Sequence, residues 1–223
     1  MDGAELDGVY AGYRGRDVLR AVDARIPAGA VTALVGPNGS GKSTLLGVLA
    51  RTVRPRRGSV VLPGSGRVAF VVQRSAVSDA LPVTVRETVA MGRWSHRGAW
   101  RPLTRRDRAV VAECMERMEV TALADRRLGE LSGGQRQRAL VARGLAQEAD
   151  LVLLDEPSAG LDHRSRLRVR AALEDLRAGG RTVVHATHDP REAADADHCL
   201  VLAAGRVAAS GTPASAAGTV SPV

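Results

Sequence analysis

The chain has 223 residues, 44% of them hydrophobic and 25% charged, a balance that can bury a core and excludes a disordered or low-complexity polymer. Its formal net charge is +8 and all but one of its 32 Lys plus Arg residues are Arg, but they are dispersed rather than blocked, which fits solvated faces better than a nucleic-acid groove. Cys114 and Cys199 are far apart and outside any CxxC spacing, the acidic start MDGAELDGVY is not a signal peptide, and no run of 18 apolar residues occurs, so a cytosolic protein without disulfides, a thiolate zinc site or a membrane span is expected.

In chain order, the first 30 residues alternate apolar and polar positions with Gly and Pro punctuation, as does GSVVLPGSGRVAFVVQ at 58–73. Both stretches predict antiparallel strands beside a main sheet. Between them VTALVG (31–36) is a short apolar run ending in a Gly-rich turn, and STLLGVLA after it has helical spacing, giving strand, loop, helix. From 74 to about 147 the pattern is a helical insert, with start signals at Thr84 with Glu87, Thr104 with Asp107, and Ser132 with Gln135. LVLLDE (151–156) and TVVHATH (182–188) are further apolar runs of the kind buried in parallel sheets. The small, polar stretch 208–223 is expected to fray, with the folded domain ending near 211 and a flexible tail over 212–223; no repeat at solenoid spacing occurs.

GPNGSGKS satisfies GxxxxGK[S/T]. Its glycines let backbone N–H groups fold around phosphate oxygens at the positive end of the following helix. Lys42 would reach the β- and γ-phosphates and Ser43 would ligate Mg²⁺. Lys42 is the only lysine in an arginine-rich chain. A compact ammonium on a slim stem fits a closed backbone loop where a planar guanidinium does not. In LVLLDEP, Asp155 and Glu156 emerge at the C-terminal end of a strand, where ligands sit in open α/β sheets. Asp155 would hold Mg²⁺ through its hydration shell and Glu156 would orient and polarise an attacking water.

LSGGQ (Leu131, Ser132, Gly133, Gly134, Gln135) presents a hydroxyl and bare N–H groups at a helix start, a second anion site in one chain. A capping box alone would explain Ser132 and Gln135 but not two consecutive glycines, each unfavourable within a helix. His185 and His188, three apart on a strand, would face opposite sides and share no metal, and His198 reads as structural. Trp94 and Trp100, which flank SHRGAW, are expected to pack.

At these residues the chain resembles the ATP-binding subunit of ABC transporters, from about Leu6 to Gly211. GPNGSGKST looks like the Walker A motif, LVLLDE the Walker B and LSGGQ the signature, in the family's order; Gln73 in FVVQ resembles the Q-loop, Asp162 in SAGLD the D-loop, and His188 in ATHD the switch histidine. Tyr13 sits where the family places an aromatic against adenine. The resemblance implies an α/β fold: a P-loop NTPase (RecA-like) core with an antiparallel β subdomain and an α-helical insert. It implies ATP held by Gly36, Pro37, Asn38, Gly39, Ser40, Gly41, Lys42, Ser43 and Thr44, and Mg²⁺ at Ser43, Gln73 and Asp155. Hydrolysis falls to Glu156 with Gln73 and His188. It also implies a head-to-tail homodimer in which the signature of one subunit completes the other's ATP site, and a helical insert that meets the membrane partner.

A DNA- or ribosome-directed ABC ATPase is disfavoured, because the interval from Lys42 to Asp155 is too short for long coiled coils and holds no sustained heptads, and only one nucleotide domain is present. QRSAVSDALPVTVRETVAMGRW resembles zinc and manganese uptake ATPases, with zinc ahead of manganese and iron-chelate importers next. The expected partners are integral membrane permease subunits and an extracytoplasmic solute-binding protein, with no nucleic acid, and the expected location is the cytoplasmic face of the plasma membrane. Arg51 stands where many members carry Gly, which leaves the conformation of that turn open.

Overall fold

Two sheets organise the residues that the computed structural model describes, 3–72 and 82–216. In chain order the strands are β1 (Ala4–Tyr13), β2 (Arg16–Ile26), β3 (Val31–Val35), β4 (Arg57–Val61), β5 (Val68–Val71), β6 (Leu151–Asp155), β7 (Thr182–Ala186), β8 (His198–Ala203) and β9 (Arg206–Gly211). The helices are α1 (Lys42–Leu49), α2 (Val85–Ala90), α3 (Trp94–Arg97), α4 (Arg105–Arg117), α5 (Gly133–Leu145), α6 (His163–Ala178), α7 (Pro190–Ala194) and α8 (Pro213–Ala216).

The three-stranded sheet has order β2-β1-β4 and is antiparallel, as the alternation of its strands predicts. The six-stranded sheet has order β5-β6-β7-β3-β8-β9. Its β6, β7, β3 and β8 run parallel and β9 returns antiparallel. Every residue of β3, β6 and β7 is buried, which is why these strands read as unbroken apolar runs: a parallel sheet is covered on both faces. The 58–73 segment departs from expectation. Its β4 joins the antiparallel sheet but β5 lies beside β6 at the edge of the main sheet. Ala69 and Val71 are buried while Val68 and Phe70 are half-buried, so the strand keeps period-two alternation, and that alternation does not name the sheet.

The chain divides into two units. The first comprises Met1–Phe70, Asp150–Glu156 and Glu174–Val223. Its core packs Leu45, Leu46, Val48 and Leu49 of α1 with Leu34, Leu151, Leu153 and Leu200 of the main sheet. Each such side chain contributes about 1.5–3 kcal/mol by leaving water. After α1 the turn places Arg51 at φ 59, the left-handed conformation a glycine would adopt without cost, with Arg51 N–H donating to the Val48 carbonyl at 3.0 Å.

The described part of the expected frayed end, 208–216, is ordered: residues 208–211 complete β9, paired with β8, and α8 follows with Ala216 buried, while the rest of the expected tail, 217–223, lies outside the described residues. Small polar residues read as a tail by composition. Thr212-Pro213 is nevertheless a helix-start pair, and Ser215 and Ala216 N–H donate to the Thr212 carbonyl, each at 3.0 Å.

The second unit comprises Val71–Ala149 and Pro157–Leu173, so it takes in a segment beyond the predicted insert. Thr84, Thr104 and Ser132 each form the anticipated capping box, starting α2, α4 and α5. Arg93 is 3% exposed, donates to Asp107 Oδ1 at 3.0 Å, the Ala146 carbonyl at 2.8 Å and Glu148 Oε2 at 2.7 Å, and so meets the hydrogen-bonding demand of a buried guanidinium. Neither tryptophan packs as expected: Trp94 is 44% and Trp100 98% exposed. The single turn α3 ends at Gly98 (φ 77), so Trp100 follows the reversal and lies on no helix whose apolar face could receive it.

Candidate functional site

The loop from Gly36 to Gly41 joins β3 to α1 in the first unit. A Cβ on Gly36 (φ 150) would lie 2.1 Å from the Leu202 carbonyl oxygen, and one on Gly41 (φ 107) 2.9 Å from Leu19 Cδ2. Only glycine fits either place. Pro37, Asn38 and Gly39 are exposed at the loop's outer edge, while Ser40, Lys42 and Thr44 are buried and Ser43 is open to solvent. The Ser40 carbonyl accepts from Gly205 N–H at 3.0 Å, tying the loop to the β8–β9 turn. Lys42 curls back inside the loop: its Nζ donates to the carbonyls of Gly36 at 2.7 Å and Pro37 at 3.1 Å. Ser40 Oγ is buried without a hydrogen-bond partner.

Asp155 ends β6 and is hydrogen-bonded to Ser43 at the start of α1. Burial pushes its carboxyl above the ordinary value, against the Ser43 hydrogen bond, with Glu156 adding to the rise and Lys42 opposing it. Glu156 follows at φ 48, a left-handed conformation disfavoured for a residue with a Cβ, with its N–H donating to the Ala186 carbonyl at 3.1 Å. Its Oε1 lies 3.7 Å from His188 Nδ1. Because β7 ends at Ala186, His188 stands beyond the strand and is exposed, whereas His185 lies on the strand and is buried. Among the described residues no group of three or more His, Cys, Asp or Glu could hold a metal.

Three side chains that sequence reasoning passed over, those of Thr187, Asp189 and Glu192, set the His188 turn. Thr187 Oγ1 donates to Glu192 Oε2 at 2.6 Å and accepts from Asp189 N–H at 3.0 Å, and Asp189 caps α7. The Asp189-Pro190 pair was a readable helix start; the Thr187–Glu192 bond carries no sequence signature.

In the second unit Leu131 leads into Ser132, which caps α5, with its hydroxyl accepting from Gln135 N–H at 3.3 Å and Gln135 Oε1 accepting from Ser132 N–H at 3.1 Å. Gly133 and Gly134 form the bare first turn. A Cβ on Gly134 would sit 3.6 Å from Leu161 Cδ2 and 4.0 Å from Asp162 Oδ2, so the starts of α5 and α6 adjoin. Asp162 Oδ1 accepts from Ser165 N–H at 2.7 Å at the head of α6. Tyr13 is 54% exposed at the end of β1. Gln73 lies outside the described residues.

The profile of the ABC transporter family matches residues 19–159. The chain belongs to that family. This ABC chain is therefore an ATP-binding subunit that hydrolyses ATP. It is 38% identical over 218 residues, 95% of its length and 82% of the relative's, to the zinc transport system ATP-binding protein TroB of Treponema pallidum. It is 44% identical over 223 aligned residues, covering 94% of the chain and 78% of the relative, to the hemin import ATP-binding protein HmuV of Streptomyces coelicolor. A solved inward-facing, metal-chelate type ABC transporter superposes with a TM-score of 0.83 at 31% identity, over 96% of this chain and 84% of that one. A dimeric ATP-binding cassette in a post-hydrolysis state with ADP and Pi superposes with a TM-score of 0.82 at 26% identity, over 94% and 98%. The fold is thus the α/β ABC cassette. No helix among the described residues of this ABC subunit is long and apolar enough to cross a membrane.

Proposed function

We propose that the chain is the ATP-hydrolysing subunit of a membrane importer for a transition metal, zinc or manganese. The observation that carries its chemistry is the convergence of Lys42, the Ser43–Asp155 pair and the Glu156–His188 pair at the ends of β3, β6 and β7. ATP would lay its phosphates against the N–H groups from Gly36 to Thr44, with Lys42 turning from two backbone carbonyls to the β- and γ-phosphates, and Tyr13 stacking on adenine. Ser43 and Asp155 are adjacent oxygen donors of the kind a hard cation takes, and a cation beside Asp155 offsets the unfavourable burial of its carboxylate, so these residues fit Mg²⁺. When bound, Mg²⁺ neutralises charge developing on the phosphate oxygens. Glu156 would orient a water and draw on its proton, and His188 would line the γ-phosphate, the role also expected of Gln73, which lies outside the described residues.

Among the described residues of their own unit, Ser132, Gly133 and Gly134 have no such cluster around them. A second copy in head-to-tail arrangement would present them, with Leu131, Gln135 and Asp162, to the first copy's nucleotide; that a solved relative is dimeric supports the pairing of two copies. Integral permease subunits would receive the exposed Trp94 and Trp100 surface of the second unit, and an extracytoplasmic solute-binding protein would deliver cargo. The subunit then lies on the cytoplasmic face of the membrane, with no nucleic acid as partner.

The 44% identity to a hemin import subunit favours iron-chelate cargo as a second reading. The test is purification of the tagged chain from detergent-solubilised membranes of its own cells. Near-stoichiometric recovery of a polytopic membrane protein is the expected result, and uptake of zinc, manganese and hemin with and without the pair then distinguishes the cargoes. Recovery only from the soluble fraction with nucleic acid or ribosomes overturns the transporter reading.

A further inference from the structure

Glu119 occupies a position that local rules assign to glycine. It follows α4 at φ 51, its N–H donates to the Glu116 carbonyl at 2.9 Å, and Val120 N–H donates to the Met115 carbonyl at 2.9 Å. This is the paired-bond helix stop whose left-handed residue is usually glycine. A side chain held there against backbone preference invites the question of what the side chain does. Its carboxylate gathers three arginines from two other helices. Arg164 Nη2 of α6 donates to Oε1 at 3.0 Å, Arg168 Nη2 of α6 donates to the same oxygen, and Arg138 Nη1 of α5 lies 3.7 Å from Oε2. Arg138 also donates to the backbone carbonyls of Met118 at 3.0 Å and Glu119 at 3.1 Å. The Arg164 guanidinium holds the Glu119 carboxyl below its ordinary value, with Arg168 and Arg138 adding to the effect.

The two helices so joined are those that begin at Ser132 and at Asp162, whose first turns already adjoin at Gly134. We propose that Glu119 is a positioning residue which locks α5 and α6 into one rigid pair, so that Ser132, Gly134 and Asp162 meet the partner subunit's nucleotide in a single geometry. The proposal rests on the head-to-tail reading given above. Among the described ion pairs of these arginines Glu119 is the acidic partner; Asp162 also attracts Arg138 and Arg164, but its oxygens are taken by Ser165, so removing the Glu119 carboxylate takes away the group that joins the three guanidiniums across the two helices.

Glu119→Gly is the informative variant because it removes the carboxylate and also relieves the backbone, leaving the helix stop intact. The exposed pair Arg164→Gln/Arg168→Gln attacks the same junction from the other side. In each, the affinity of the single subunit for Mg-ATP, which uses the first unit, is expected to stay unchanged. The value of kcat and the ATP-driven dimerisation of the Glu156→Gln form are expected to fall roughly ten- to a hundredfold, as misplacement of about 1 Å at a reacting site does. Combining the two changes is expected to cost no more than the worse of them, because both break one junction. Values of kcat and dimer affinity within about twofold of the parent, or losses that add in full, overturn the proposal. If the Glu156→Gln parent itself stays monomeric with ATP, the head-to-tail reading falls and the Glu119 proposal with it; if the parent dimerises and Glu119→Gly dimerises as well, only the Glu119 proposal falls.

Discussion

Replacing Lys42 by Arg keeps the charge and tests whether the loop selects the shape of the cation. Nζ is clasped at 2.7 Å by the Gly36 carbonyl and at 3.1 Å by that of Pro37, and the residue is 7% exposed. The walls have no slack: a single added carbon at Gly36 would come within 2.1 Å of the Leu202 carbonyl oxygen, and one at Gly41 within 2.9 Å of Leu19 Cδ2. A guanidinium is one bond longer and several ångströms broad, so it must leave the loop or force it open. Either way the nucleotide would lose the charge-assisted hydrogen bond proposed for Lys42, an interaction of about 1.5–3 kcal/mol, which is roughly a ten- to hundredfold weakening of Kd. Titration calorimetry with Mg-ATP measures this directly, and a thermal melt of the nucleotide-free protein checks that the fold survives. An affinity within about twofold of the parent, with the melt unchanged, would falsify the steric account of the chain's single lysine.

Glu156→Gln should retain Mg-ATP binding and accumulate an ATP-bound dimer on size exclusion while turnover collapses; a monomer elution with ATP contradicts the head-to-tail arrangement. Arg51→Gly should raise the urea midpoint, because removing a left-handed Arg gains about 1–2 kcal/mol and the added chain freedom of Gly costs about 0.5–1 kcal/mol; a lower midpoint shows that the Arg51 side chain matters more than its backbone. Burial lowers the pKa of His185 in the folded chain, with Glu192 opposing, so the unfolded state takes up the proton first: the stability that comes from the neutral imidazole is complete above the unfolded pKa of about 6.5 and falls as the pH drops below it. Urea midpoints between about pH 7.5 and 5.5 should therefore fall more for the parent than for His185→Gln, and equal slopes would remove His185 from the acid response. Cys114, with its thiol pushed up to about 12 by burial, should resist thiol reagents at neutral pH until the protein is unfolded.

Features written in short-range patterns were readable from the sequence. The three capping boxes at Thr84, Thr104 and Ser132, the strand-loop-helix around Lys42 and the buried runs of β3, β6 and β7 depend on spacings of two to four residues or on unbroken apolarity, and each appears in the structure. Tertiary structure decided which sheet β5 joins, that residues 208–211 pair with β8 instead of fraying, and that Trp100 stays exposed. It also decided that Arg51, Glu119 and Glu156 adopt left-handed backbone without being glycine. Arg51 and Glu119 sit in turns closed by local bonds, to the Val48 and Glu116 carbonyls, but what holds Glu156 and the Glu119 side chain joins residues remote in the chain: Glu156 N–H with Ala186, and the Glu119 carboxylate with Arg138, Arg164 and Arg168. A chemical motif can be recognised from adjacent residues because its backbone supplies the geometry. Long-range pairing is recognised only when the chain has closed the loops between the partners, since the entropy of closing them is recovered by contacts that no short window contains.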